Sequence, residues 1–274
     1  MAGLPEITNM ALFCDFENIA LGVRDANYAQ FDIQKVLERL LLKGSIVVKK
    51  AYCDWARYKE FKAPMHEASF ELIEIPHVRQ SGKNSADIRM VVDALDLCYT
   101  KAHVDTFVII SGDSDFSPLV SKLRENNKHV IGVGVKAATS DLLAANCDEF
   151  IFYDDLVREQ EAKLKRSAKK TPAKAAAPRT TAGKTEDKEA RREEALDLLV
   201  ETVEALLAER GGEATLWGSM VKPTLQRRKP GFTESYYGYR SFRDLLEDAK
   251  KKKLLIVERD DKTGQYAIRL PAED

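Results

Sequence analysis

Thr106-Phe107-Val108-Ile109-Ile110 runs straight into Ser111-Gly112-Asp113-Ser114-Asp115, and the residues from Phe116 to Asn126 return to helical spacing. The first five are β-branched or aromatic, with no polar alternation, which is the composition of a strand. A strand buried on both faces belongs to a parallel sheet covered by helices on each side. Outward from it the same alternation recurs. Met10 to Cys14 is a short apolar run ending in Asp15. Asp32 can cap a helix carried by Ile33, Val36, Leu37, Leu40 and Leu41, which Gly44 stops. Ile46-Val47-Val48 with Ala51-Tyr52 reads as the next strand, and 55–70 as a helical stretch interrupted by Pro64. Leu72-Ile73-Glu74-Ile75 is a third strand closed by Pro76, and 77–85 a loop. Ile88, Val91, Val92 and Leu95 mark a helix. Val130 to Val135 is a strand, 140–146 a short helix and Glu149 to Phe152 a last strand. Strands alternating with helices predict an α/β, three-layer domain with a mainly parallel sheet and right-handed crossovers. Working groups in such sheets collect beyond the carboxyl ends of the strands, at the switch point.

The 274 residues allow one large domain or two small ones, and 44% hydrophobic and 32% charged residues suit a soluble chain with a core. Lys and Arg number 43 against 44 Asp and Glu, so global charge argues neither for nor against nucleic acid. Cys14, Cys53, Cys98 and Cys147 contain no CxxC pair and His is scarce, which disfavours a zinc site or a disulfide framework and suits a reducing cytoplasm. The first twenty residues have no basic start and carry Glu6, Asp15 and Glu17, so no signal peptide is expected. No apolar run approaches the roughly 18 residues of a membrane helix. From Lys163 to Lys184 stand eight basic residues and no acidic one, among Ala, Thr, Pro and Ser. Such a stretch cannot repay the entropy of ordering. The boundaries are therefore drawn at 1–157, a disordered basic linker at 158–188, and a second domain at 189–271. The linker is either a plain solvated spacer or an added source of phosphate affinity.

Four acidic residues fall at the carboxyl edge of the expected sheet. Asp15 ends the first strand, Asp113 and Asp115 follow the Phe107–Ile110 strand, and Asp87 opens the helix after the third strand. Carboxylates packed together raise one another's pKa. A hard divalent cation, Mg²⁺ or Mn²⁺, relieves that repulsion, polarises phosphoryl oxygens and acidifies a bound water. The competing reading is structural: Asp after a strand is often a helix cap or turn residue, worth about 1 kcal/mol. Trp55, Tyr58 and Phe61 present a similar choice between stacking on bases and forming one buried helical face. Cys14, Cys98 and Cys147 sit in apolar stretches and read as core.

Leu12-Phe13-Cys14-Asp15-Phe16-Glu17-Asn18 resembles the opening Asp-x-x-Asn strand of the NYN domain, a branch of the PIN-like nucleases. Gly82-Lys83-Asn84-Ser85-Ala86-Asp87, continuing to Val92-Asp93-Ala94-Leu95, resembles its Lys-x-x-x-Asp helix start. Ser111-Gly112-Asp113-Ser114-Asp115-Phe116 resembles its Ser-Gly-Asp-x-Asp-Phe signature. The resemblance runs from about 8 to 155 and is nearest to the bacterial LabA-like (DUF88) group. It implies a metal-dependent ribonuclease in which Asp15, Asp87 and Asp113 are the metal carboxylates, with Asp115 as a fourth. Asn18 would orient a metal-bound water or a phosphate, Ser111 would donate to the scissile phosphate, and Lys83 would contact RNA. Asp93 stands roughly 120° round its helix from Asp87 and reads as structural or supporting. Asp141 reads as dipole compensation in the first turn of its helix.

In the second segment, 189–210 is one long helix carrying Ala195, Leu198, Leu199, Thr202, Val203, Leu206 and Leu207, closed by Gly211-Gly212. Leu216 to Leu225 reads as a short second helix. Ser241 can cap a third, with Phe242, Leu245, Leu246 and Ala249 on its apolar face. Leu254 to Glu258 and Gln265 to Leu270 alternate as a hairpin. Three helices and a hairpin make a small winged-helix domain. Leu206-Leu207 with Gly211-Gly212, Lys229-Pro230-Gly231-Phe232 and Tyr237-Gly238-Tyr239-Arg240-Ser241-Phe242 resemble the LOTUS (OST-HTH) domain. The usual leucine-rich second helix is replaced by Trp217-Gly218-Ser219-Met220-Val221. That resemblance implies RNA binding, to structured or G-rich RNA. Lys222, Arg227, Arg228, Lys229, Arg240 and Lys250 to Lys253 would meet phosphates, and Tyr236, Tyr237 and Tyr239 would stack on bases, with at least one of the three in the core. A winged helix can also read a DNA major groove, so a DNA-binding regulator stays open beside it, as does a protein–protein module.

The expectation is thus a cytoplasmic Mg²⁺/Mn²⁺-dependent endoribonuclease acting on single-stranded or structured RNA, guided by a LOTUS module, with duplex DNA a lesser partner, no membrane, and a homodimer left open. The alternative is a non-catalytic RNA-binding or partner-binding regulator with a vestigial acidic site.

Overall fold

The computed structural model describes residues 8–75, 85–170, 186–211, 215–230, 232–260 and 264–271. These fall into two compact units, one up to residue 170 and one from 186 onward, each taken by itself below.

The first unit is built on six parallel strands: β1 (Asn9–Asp15), β2 (Ser45–Cys53), β3 (Glu71–Glu74), β4 (Thr106–Ile110), β5 (His129–Gly134) and β6 (Glu149–Phe152), in the order β3-β2-β1-β4-β5-β6. The central strands β1 and β4 run in register from Met10 opposite Thr106 to Cys14 opposite Ile110. Every residue of β4 is buried, because both faces are covered. Side chains alternate between two cores with the period of two that a pleated strand imposes. Met10, Leu12, Cys14, Val108 and Ile110 face one side, where α1 (Phe16–Asp25), α2 (Ile33–Lys43), α3 (Lys59–Glu67) and α7 (Tyr153–Lys170) pack. Ala11, Phe13, Phe107 and Ile109 face the other, against α4 (Ser85–Thr100), α5 (Ser117–Glu125) and α6 (Asp141–Asn146). Asp32 caps α2 through a bond accepted from the Gln34 N–H at 3.0 Å, and the chain leaves the helix at Gly44.

Several local expectations are corrected. β2 is one continuous strand: Lys49 and Lys50 stay in it because their ammonium groups find Ala68 O at 2.6 Å and Asp93 Oδ2 at 3.4 Å. Pro64 sits inside α3 without breaking it; the donor it removes is the one that would have served the carbonyl of Glu60, an exposed residue of the first turn. α4 forms, yet it buries Met90, Ala94 and Cys98, while Ile88 and Val92 point outward. α7 continues to Lys170, so the expected linker at 158–188 begins as helix; 171–185 lies outside the described residues, and so does the 76–84 loop.

The second unit holds α8 (Glu186–Glu209), β7 (Leu216–Trp217), α9 (Gly218–Arg228), α10 (Phe242–Lys251), β8 (Ile256–Arg259) and β9 (Tyr266–Arg269), with an antiparallel sheet in the order β7-β9-β8. The expected helix start at Leu216 is instead strand, because Leu216 pairs with Ile268 and the helix begins only at Gly218. Ser241 caps α10 by accepting from the Asp244 N–H at 3.2 Å, and Leu245, Leu246 and Ala249 are buried. Among the described residues no helix is long and apolar enough to cross a membrane.

Candidate active site

The chain builds β1, β2 and β3 to one side and then crosses back to start β4 on the other side of β1. The carboxyl ends of β1 and β4 therefore flank the switch point, where neighbouring loops diverge and leave a crevice. Asp15 is the last residue of β1 and the Ser111–Asp113 arch leaves β4 beside it. Asp15 is 7% exposed. Its Oδ1 accepts the Asn18 N–H at 3.3 Å, which caps α1, and its Oδ2 accepts the Ser111 hydroxyl at 2.9 Å. Asn18 Oδ1 accepts the Gly112 N–H at 2.9 Å and Ser111 Oγ accepts the Asp113 N–H at 3.2 Å. Asp113 Oδ1 in turn accepts the Asp115 N–H at 2.9 Å and caps the 3-10 turn Ser114–Phe116. Gly112 is required at the crest: a Cβ there would stand 2.1 Å from Ala138 O.

Asp87 is the third residue of α4 and half-buried. With Ile88, Val91 and Val92 of the same helix it lines an open groove of about 730 Å³, to which Ser114, Asp115, Pro118 and Leu142 also contribute. Charge crowds this edge. Burial, then the Asp87 charge and more weakly Asp113, push the Asp15 carboxyl up to about 7, against the bonds from Ser111 and Asn18 that lower it. Burial, then Asp113, Asp115 and Glu17, push Asp87 up to about 6. The sheet thus gathers Asp15, Asp87, Asp113 and Asp115 at one edge, and both the capping and the charged readings describe real features of Asp15 and Asp113.

The donor chemistry fits a hard divalent cation, since every candidate ligand is a carboxylate oxygen. Among the described residues no three His, Cys, Asp or Glu side chains form a ready-made cage. Mg²⁺ keeps several waters and is held by one or two carboxylates plus substrate phosphate, so the acidic edge suits it without such a cage.

Other expected residues fall differently. Ser111 is fully buried and its one proton goes to Asp15, so it supports the site from beneath and is not a phosphate donor. Lys83 lies outside the described residues. Asp93 accepts the Tyr52 hydroxyl at 2.9 Å and pairs with Arg89 and Lys50, a structural cluster. Trp55 is buried and stacks near Phe16 with Tyr58 and Phe61, so these aromatics are core rather than a base platform. The reading from sequence missed Glu17, whose charge acts on Asp87 and whose carboxylate pairs with Arg57 at 3.0 Å. Its place directly after Phe16, in the first turn of α1, was the available signal.

In the second unit the expected RNA-contacting residues divide. Lys229 and Arg240 are exposed, as are Lys250 to Lys253. Arg228 is 10% exposed and spends its guanidinium on Thr202 Oγ1 and Glu201, tying α9 to α8. Arg227 donates to Thr224 Oγ1 at 2.9 Å, and Lys222 pairs with Glu234 at 2.8 Å. Tyr239 is buried, with its hydroxyl donating to Asp248 at 2.7 Å, so it cannot stack on a base. Tyr237 is buried too, and the exposed tyrosine is Tyr236, under the Arg191 guanidinium.

The NYN domain model matches residues 9–154. An uncharacterized protein of Methanocaldococcus jannaschii is 28% identical over 139 residues, which cover 50% of this chain and 54% of that relative. The chain thus spans about half the length of that curated relative. A crystal structure of a protein of unknown function from Vibrio parahaemolyticus aligns with a TM-score of 0.50 and 26% identity, over 57% of this chain and 98% of the other.

Proposed function

Because this chain belongs to the NYN domain family, a branch of the PIN-like nucleases, we propose that its acidic crevice hydrolyses RNA phosphodiester bonds with Mg²⁺ or Mn²⁺. One observation carries the reading: Asp15, Asp87, Asp113 and Asp115 gather at the switch point of the sheet, where burial and then the neighbouring carboxylate charges lift Asp15 to about 7 and Asp87 to about 6. Capping accounts for the places of Asp15 and Asp113 but not for the charge that Asp87 adds beside them, and a cation would relieve that repulsion. Asp15, Asp87 and Asp113 would hold the ion, with Asp115 at the mouth. The ion, when bound, supplies charge stabilisation at the phosphate and an acidified water. The chain supplies the rest. Ser111 and Asn18 hold Asp15 in place, the Asn18–Gly112 bond fixes the arch that carries Asp113, and the α4–α5 groove receives the strand beside Asp87 and Asp115.

The second unit is read as a LOTUS-type winged helix and the chain as a LabA-like member, in which RNA is captured by Lys229, Arg240, Tyr236 and the Lys250–Lys253 run. Tethering raises the concentration of captured RNA at the nuclease site. That Asp15 and Asp113 each already cap a helix supports a second reading, an RNA-binding regulator without hydrolysis. Labelled single-stranded and structured RNAs incubated with Mn²⁺, Mg²⁺ or EDTA, beside an Asp15→Asn/Asp113→Asn double variant, separate the two. Cleavage that needs metal and vanishes in the variant supports the nuclease. Bound but intact RNA from folded wild-type protein supports the regulator.

A further inference from the structure

Helix α4 carries Ile88 at 63%, Val92 at 55% and Tyr99 at 65% exposure, the large apolar side chains least expected on a solvated face. With the half-buried Leu95 they follow a 4-3-4 spacing, the seam of a helix that packs against another helix. The stripe runs the length of a 16-residue helix, roughly 24 Å. It stands as a ridge between two hollows. One is the groove toward Leu142, itself 58% exposed; the other, of about 500 Å³, is lined by Ser85, Arg89, Asp93 and Asp96 beside Ile88 and Val92. A ridge flanked by a groove of matching direction is the shape two helices use to interlock.

We propose that this face pairs with the same face of a second copy of this chain, α4 against α4 in antiparallel sense. Charge selects that occupant. In antiparallel register Ile88 meets Tyr99 of the second copy and Val92 meets its Leu95. The flanking positions one residue after Ile88 and Leu95 are then Arg89 and Asp96; Arg89, whose ion pair with Asp93 at 3.1 Å is solvent-exposed and therefore weak, would add the Asp96 of the second copy, and the two-fold repeats the contact. An isologous contact of this kind is self-complementary, as a closed dimer requires. RNA is a poorer occupant, because Arg89 and Lys50 are already balanced by Asp93 and the further Asp96 leaves the stripe without net positive charge. The interlocking hollow lies on the Arg89–Asp96 side; Ile88 and Val92 also border the groove that holds Asp87 and Asp115, but those two carboxylates are not part of the 4-3-4 seam.

Sedimentation equilibrium of the full-length protein tests this without reference to nuclease activity. The wild type dimerises below about 100 μM, and Val92→Glu weakens dimerisation by at least about tenfold with unchanged circular dichroism. Asp96→Arg alone weakens it by at least about fivefold, and adding Arg89→Glu restores most of the loss, since the pair is exchanged rather than removed. A wild-type chain that stays monomeric overturns the proposal, and so does a Val92→Glu variant that dimerises as well as wild type. Failure of Arg89→Glu to rescue Asp96→Arg overturns the antiparallel pairing. A monomeric wild type whose RNA binding falls in Val92→Glu overturns the pairing too and assigns the face to RNA.

Discussion

The Ser111 hydroxyl donates to Asp15 Oδ2 at 2.9 Å, joining the end of β4 to the end of β1 across 96 residues of chain. The bond lowers the Asp15 pKa against burial and the Asp87 charge, so it holds Asp15 nearer its ionised form. Ser111→Ala removes it and leaves a buried carboxylate oxygen without a partner. The expected cost is about 1–3 kcal/mol, or several degrees of melting temperature. Divalent-dependent cleavage falls with it. Scanning calorimetry of both proteins in EDTA checks the first part, and a melting temperature within a degree of wild type would remove Ser111 from its role.

Asp15 and Asp87 should make the metal-free protein lose stability as pH rises. Their folded values, about 7 and about 6, lie above the ordinary 3.8 of an unfolded aspartate. The folded state therefore binds their protons more tightly. It is favoured below pH 4 by these groups, and that advantage disappears as pH climbs through the unfolded value to the folded one. For Asp15 the swing is at most about 4 kcal/mol. Asp15→Asn should thus gain on wild type between about pH 4 and pH 7 in EDTA and stay level above it. Mn²⁺ should raise the wild-type melting temperature at pH 7.5 far more than that of Asp15→Asn. A constant difference between the two proteins across pH would show that Asp15 ionises freely.

Gly112→Ala should damage fold and activity together. The added Cβ would meet backbone, at 2.1 Å from Ala138 O and 2.8 Å from Ala138 C, so no side-chain rotation relieves it. The arch must move, which strains the Asn18 bond to the Gly112 N–H and the Ser140 N–H bond to Gly112 O at 2.8 Å. Roughly 1–3 kcal/mol of stability is the expected loss. Gly218→Ala, where the nearest atom would be 3.7 Å away, is the tolerated control. Equal melting temperatures for the two variants would contradict the packing.

The parts of this chain legible in its sequence are those where local chemistry and tertiary environment agree. Asp32 caps and Gly44 ends a helix whose Val36, Leu37 and Leu40 are buried, and each signal is complete within a dozen residues. The acidic edge was legible for a second reason: Asp15, Asp87, Asp113 and Asp115 each stand at a strand end or helix start, so the β/α alternation alone brings them together. What escaped needed long-range knowledge. Ser111 looks like a loop serine until β4 pairs with β1 and aims it at Asp15. Ile88 and Val92 follow helical spacing as well as Met90 and Ala94 do, and only the rotation of α4 on the sheet chooses which pair is buried. Arg228 and Lys229 are adjacent basic residues, yet one is consumed by Glu201 and Thr202 and the other faces solvent.

The tyrosines of the second unit offer the sharpest separation of packing from binding. Tyr239 is buried and its hydroxyl bonds Asp248 across nine residues, while Arg192 lies over its ring at 5.2 Å. Tyr239→Phe loses a hydrogen bond to a carboxylate, about 1–3 kcal/mol, and leaves RNA affinity unchanged wherever the protein is still folded. Tyr236 is 57% exposed, packs edge-on to Tyr237 and carries Arg191 at 5.1 Å over its ring. That makes it an exposed aromatic ring beside a cation, the combination on which an unpaired base stacks. Tyr236→Ala should leave the melting temperature within a few degrees of wild type and weaken single-stranded RNA by about tenfold at fixed salt. Fluorescence anisotropy titrations of both variants decide the matter. Tighter dependence on Tyr239 than on Tyr236 would mean that the buried ring reaches RNA only after the α8–α10 packing opens, and the exposed platform would then have no part in recognition.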